Sequence, residues 1–75
     1  MKFTWEEKDI RVGQKYGRKG IDEMWMIGYR PNCQPTYVSI SMSDGMVSDT
    51  NTKEDLASML TEEKYIPVEF LDVMD

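Results

Sequence analysis

From Thr36 to Ser43 one residue in two is apolar, Val38, Ile40 and Met42, and the strand then runs into Asp44-Gly45. A period of two sends alternate side chains to opposite faces of a strand. Asp-Gly is a preferred pair for a two-residue type I′ hairpin loop. The two signals predict a hairpin over residues 36–49, with Ser43 facing Met46, Met42 facing Val47 and Ser41 facing Ser48. In that register Met42 and Val47 lie on the core face with Val38 and Ile40, and Ser41 and Ser48 lie on the wet face with Tyr37 and Ser39.

The flanking segments are compatible with a small sheet. Asp9–Tyr16 reads as a lead-in loop and strand start, with Ile10 and Val12 alternating with charge. Its D-I-x-x-G-x-x-Y spacing is similar to the opening of many SH3-like barrels. Gly17-Arg18-Lys19-Gly20 reads as a turn, and Glu23–Arg30 as a strand carrying Met24, Trp25, Met26, Ile27 and Tyr29. The prolines of Pro31-Asn32-Cys33-Gln34-Pro35 make that stretch a loop.

Thr52 is a natural N-cap, and Glu54 and Asp55 put negative charge at the positive end of the dipole that follows. The spacing predicts a helix over 52–62 with Leu56, Met59 and Leu60 buried. Residues 65–70 read as a last strand with Ile66, Val68 and Phe70 inward. Pro67 lacks a donor and so places that strand at an edge. Thr4-Trp5-Glu6-Glu7 fits a capping box, which predicts a short turn over residues 4–9. The expected fold is one α+β domain over residues 1–75. Its core is a small, strongly curved antiparallel sheet of four to five strands, SH3-like or a partial barrel. One helix precedes the last strand.

The residue inventory argues against catalysis. There is no histidine and one cysteine, Cys33. Imidazole-activated nucleophiles, histidine zinc sites and intrachain disulfides therefore require residues the sequence does not have. Cys33 stands between neutral Asn32 and Gln34, which supply no activating base. The carboxylate pairs Glu6/Glu7, Glu54/Asp55 and Glu62/Glu63 are adjacent, whereas acid–base work needs two carboxyls in different environments across a cleft. Asp49–Glu54 has some character of a calcium loop but lacks its turn glycine and its twelfth-position glutamate. No catalytic, metal or cofactor-binding residue is expected. The longest apolar run, Met24–Ile27, is far short of the ~20 residues that span a bilayer. No apolar leader run follows Met1, so a cytoplasmic location without a membrane partner is expected.

Surface recognition is the remaining function class, and three readings compete. Two Trp, four Tyr, two Phe and seven Met are many for 75 residues. One small core cannot enclose them all, and Tyr, Trp and Met are enriched in contact patches. Trp25, Tyr29 and Tyr37 are the candidate protein-contact residues of a module that inhibits or adapts a larger partner. Residues 31–75 hold nine acids against two lysines, within a chain of net charge −5. Asp44, Asp49, Glu54, Asp55, Glu62 and Glu63 are a candidate acidic surface that imitates nucleic acid for a nucleic-acid-binding enzyme. The third reading is direct nucleic-acid binding, in which Lys15, Arg18 and Lys19 hold phosphates and Tyr16 stacks on a base. The opposed charges of the two halves also make self-association feasible. In size, acidity and the immediate start of its domain the chain resembles small accessory proteins of phages and other mobile elements, a likeness that no motif carries.

Overall fold

A computed structural model describes residues 3–32, 34, 36–48 and 52–71. Strands β1 (Lys15–Gly17), β2 (Met24–Tyr29) and β3 (Tyr37–Ser41) form an antiparallel meander. The chain then runs through helix α1 (Lys53–Glu62) to β4 (Ile66–Pro67), which pairs antiparallel with β1. The sheet order is β3-β2-β1-β4. The result is an α+β domain with one helix before the last strand. The sheet is open, with β3 and β4 as its edges, so no barrel closes around it.

The core lies between one sheet face and α1. Tyr16, Ile27, Leu56 and Leu60 are almost fully enclosed, together with Trp5, Ile10, Ala57 and Tyr65. Trp5 is the buried tryptophan. Its indole N–H donates to the Tyr65 carbonyl at 2.8 Å, and its backbone N–H donates to Thr61 Oγ1 at 2.8 Å. The N-terminal segment is thereby tied to the end of α1 by both packing and paired donors, and burial of an indole requires such pairing.

Thr52 caps α1, its hydroxyl accepting from the Asp55 N–H at 3.1 Å. The buried stripe is Leu56, Ala57 and Leu60, with Met59 half-buried at its margin. The helix ends in a Schellman turn: Tyr65 N donates to the Leu60 carbonyl and Lys64 N to that of Thr61. Lys64 occupies the left-handed position, with φ +63°.

Several local expectations are corrected. The capping interaction lies two residues downstream of Thr4/Glu7: the Glu6 N–H donates to Asp9 Oδ2 at 2.9 Å, ahead of a 3₁₀ turn over Glu7–Asp9. Val12 is exposed, and β1 begins only at Lys15. The last strand stops at Pro67, whose missing N–H ends the ladder, and Val68–Phe70 is a 3₁₀ turn. Phe70 is exposed on one side and stacks on Phe3, ring centroids 5.6 Å apart.

The hairpin loop is the largest local difference. A type I′ loop needs positive φ at both central residues. Gly45 has φ +75°, but Lys64 is the only non-glycine with positive φ among the described residues, so Asp44 does not adopt it. Instead Asp44 Oδ1 accepts from the Met46 N–H at 3.0 Å, and the Gly45 N–H reaches back to the Ser41 carbonyl. The loop is four residues long. Ile40, not Met42, lies opposite Val47. The shift of two residues keeps every side chain on its own face, because the strand period is also two.

Candidate functional site

The register of the three long strands decides what each sheet face carries. Trp25 pairs with Ser41, Ile27 with Ser39 and Tyr29 with Tyr37. Tyr16 pairs with Trp25. These residues share the face that α1 covers. Met26 pairs with Ile40 and with Lys15, Gly28 with Val38, and Met24 with Gly17. These share the other face. The expected orientation of β3 is thus inverted: Ser39 and Ser41 point toward the helix, and Val38 and Ile40 away from it.

Tyr16 explains the inversion. Its ring lies within the core, and it meets Trp5 and Tyr65 edge-on at centroid distances of 5.8 Å and 5.1 Å. A buried phenol needs a partner, and a small hydroxyl residue across the sheet supplies both room and acceptor. Tyr16 Oη donates to Ser39 Oγ at 2.5 Å. Enclosure pushes the Tyr16 phenol up to about 12, an effect opposed by the bond to Ser39.

The uncovered face is apolar. Met24, Met26 and Ile40 are half-buried on it, and Val38 is sheltered by its neighbours. Val47, opposite Ile40, continues it and is 53% exposed, and Met42 and Met46 in the adjoining loop are 46% and 68% exposed. Gly28 keeps the face close-packed. A Cβ there would come within 2.7 Å of Ile40 Cδ1 and 2.9 Å of Val38 Cγ2. An antiparallel sheet with one bare face ordinarily alternates apolar-in and polar-out. Here Lys15 is the one charged side chain on the paired positions of that face.

The three expected contact aromatics do not form one patch. Ile27, fully enclosed, separates Trp25 from Tyr29 along β2. Tyr29 is half exposed and meets Tyr37 edge-on at 5.8 Å. Tyr37 lies on the helix side and is half-buried against the core margin, with Lys53 Nζ 5.7 Å from its ring centre.

Trp25 belongs to a different feature, a groove of about 330 Å³ between the end of β2 and the 43–48 segment. Trp25, Met46 and Val47 supply its apolar walls. Ser41, Ser43 and Ser48 supply hydroxyls, and Glu23 and Asp44 carboxylates. A smaller recess of about 100 Å³, shared through Trp25 and Ser48, continues toward Tyr16, Met59 and Tyr65. Glu23 Oε1 accepts from Arg18 Nη2 at 3.0 Å, Trp25 Nε1 at 3.3 Å and Tyr65 Oη at 3.4 Å. The bonds from Arg18 and then Trp25 hold the Glu23 carboxyl below its ordinary value. Arg18 also stacks over Tyr65, 4.6 Å from the ring centre. The groove was not legible in the sequence, because it is assembled from the β1–β2 turn and the long hairpin loop.

The basic segment loses its stacking element. Tyr16 is 1% exposed, so its face is not offered to a base. Arg18 is engaged by Glu23, while Lys15 is exposed and Lys19 lies in the turn that follows β1. Of the acidic set, Glu54 and Asp55 occupy the first turn of α1, and Glu62 its last turn with Glu63 as C-cap, all exposed. Asp44 lies at the groove, and Asp49 falls outside the described residues, as does Cys33. Among the described residues no group of three acids or cysteines is placed to hold a metal ion. No described helix is long and apolar enough to cross a membrane.

Comparison with known protein families, with characterised proteins and with solved structures found no match for this chain.

Proposed function

We propose that this protein is a non-catalytic binding module that docks on a larger protein through the sheet face opposite α1. The observation that carries this reading is the character of that face: half-buried Met24, Met26 and Ile40, packed around enclosed Val38, stand where a bare sheet ordinarily places polar side chains. Exposed Val47, opposite Ile40, and Met42, two residues beyond Ile40, extend it. Contiguous apolar surface of this kind marks interaction sites. Methionine suits it, being unbranched and able to repack against a partner. Gly28 lets the Ile40 and Val38 side chains lie across the strand beside it, and Met24 and Leu71 pack over Gly17. The partner-binding module acts as an inhibitor or adaptor, of the kind found among phage accessory proteins.

The acidic-mimic reading has one observation in its favour. Glu62 and Glu63 stand at the negative end of the α1 dipole with no basic residue in that turn. This placement costs helix stability, by about 0.3–1 kcal/mol per charge.

The test is capture from the native host with mass spectrometry, using wild type beside a Met26→Lys/Ile40→Thr double variant of unchanged melting behaviour. A partner held by wild type and lost by the variant supports the docking face. A partner held equally by both refutes it. Displacement of nucleic acid from that partner, sensitive to Glu62→Gln/Glu63→Gln, favours the mimic.

A further inference from the structure

The groove beside Trp25 has a chemistry unlike that of the methionine face. Its lining carries two carboxylates, three serine hydroxyls and an indole, and no lysine or arginine. Arg18 touches Glu23 but is not part of the lining. Glu23 is already paired with Arg18 at 3.0 Å, so an anion would meet chiefly the charge of Asp44 and be repelled. A neutral apolar group would strip water from both carboxylates without replacing it. A cation on an alkyl stem meets neither difficulty. Its head donates to carboxylates and hydroxyls, and its stem lies along Met46, Val47 and the Trp25 ring.

The geometry of the walls narrows the choice further. The indole is pinned by its own N–H bond to Glu23, so the flat wall is fixed before anything binds. Guanidinium is planar, more weakly hydrated than ammonium, and stacks on aromatic faces while its edge donates to carboxylates. The chain as a whole is acidic, at net charge −5, which draws a basic ligand toward it.

We propose that the groove formed by Trp25, Glu23, Asp44 and the Ser41/Ser43/Ser48 hydroxyls receives an arginine side chain of the partner protein. This rests on the binding-module reading for the source of the arginine. The groove itself can be tested with no partner present.

The probe is N-acetyl-arginine methylamide, titrated into the ¹⁵N-labelled full chain, with N-acetyl-citrulline methylamide as the neutral isostere. The two indole N–H signals separate the sites, because that of Trp5 is bonded to the Tyr65 carbonyl inside the core. The Trp25 indole signal and the backbone amides of residues 43–48 should shift saturably with the arginine probe, while the Trp5 indole stays in place. Binding should be about tenfold weaker or more with citrulline, as expected for loss of a charge-assisted bond. Asp44→Asn should weaken arginine binding in the same way. It keeps the Oδ1 acceptor used by Met46 and so leaves the loop intact, which the unchanged Trp5 signal verifies. Ser43→Ala, a second groove variant outside that loop bond, should also weaken binding. Equal shifts with citrulline, unaltered binding in both variants, or no saturable shift below about 50 mM arginine probe would each overturn the proposal. Failure here leaves the methionine face standing, and failure of partner capture leaves the groove result standing.

Discussion

On the face that α1 covers, β3 presents Tyr37, Ser39 and Ser41; on the face left bare it presents Val38 and Ile40. The covered face draws its bulk from elsewhere, from Tyr16, Ile27 and the helix leucines. Small serines on β3 make room for that bulk and satisfy the Tyr16 hydroxyl. The bare face has no helix against it, yet keeps the residues that a helix would normally bury. One face is built to hold the fold together. The other encloses Val38 and Ile66 but leaves Met24, Met26 and Ile40 part-exposed with no helix over them, and a partner supplies the simplest reason for it.

Matched substitutions on the two faces test this division most strongly. Ile27→Ala, at a fully enclosed position, should cost about 2–5 kcal/mol and leave the domain largely unfolded. Ile40→Ala, on the bare face of the neighbouring strand, should cost about 1 kcal/mol, because its site is already part-solvated. Urea midpoints of the two variants measure the difference, and equal losses would erase the distinction between the faces.

Alkaline pH probes the covered face alone. The Tyr16 phenol is raised to about 12, by burial first, so the folded state holds its proton more tightly than the unfolded chain, where it titrates near 10. The associated stability is full below pH 10 and is lost as pH rises from 10 to 12, by about 2–3 kcal/mol. Tyr65 is also raised by burial and adds in the same direction. Tyr16→Phe should flatten most of this slope, as read from urea midpoints at successive pH values.

Ser39→Val removes the phenol's partner and should cost about 1–3 kcal/mol. The Ser39→Val/Tyr16→Phe double variant should recover most of that loss, since both ends of the bond are then apolar. A double variant no more stable than Ser39→Val would mean that the serine matters for its size alone. The smallest effect is expected at the bare face. Ile40→Thr keeps the β-branched shape and should change stability by under about 1 kcal/mol while raising solubility. A large loss, measured by thermal melting, would show that Ile40 is core after all.

What was legible in the sequence was local. Thr52 announces α1 because a cap acts on the N–H groups of the next turn, and no tertiary contact is needed to read it. Pro67 announces an edge because the missing donor forbids a neighbour. The alternation in β3 is equally plain, but it carries only parity. It says that Val38 and Ile40 share a face and not that the face is the core, which depends on where Ile27 and Tyr16 point. Pair preference alone predicts a two-residue loop at Asp44-Gly45, whereas the side chain of Asp44 holds Met46 in a longer loop. The separation of Trp25 from Tyr29 depends on Ile27 being enclosed. The groove depends on two loops far apart in sequence, so neither was available to a linear reading.

The central claim is that the bare face is a docking surface, and methyl NMR with a soluble paramagnetic agent tests it most directly. In the free protein the agent should attenuate the methyl signals of Met24, Met26, Ile40 and Met42, leaving those of Ile27, Leu56 and Leu60 sharp. Adding the captured partner should restore the attenuated set. If the partner instead leaves those methyls exposed and shelters only the α1 or Tyr29/Tyr37 surface, the bare face is not where this protein binds.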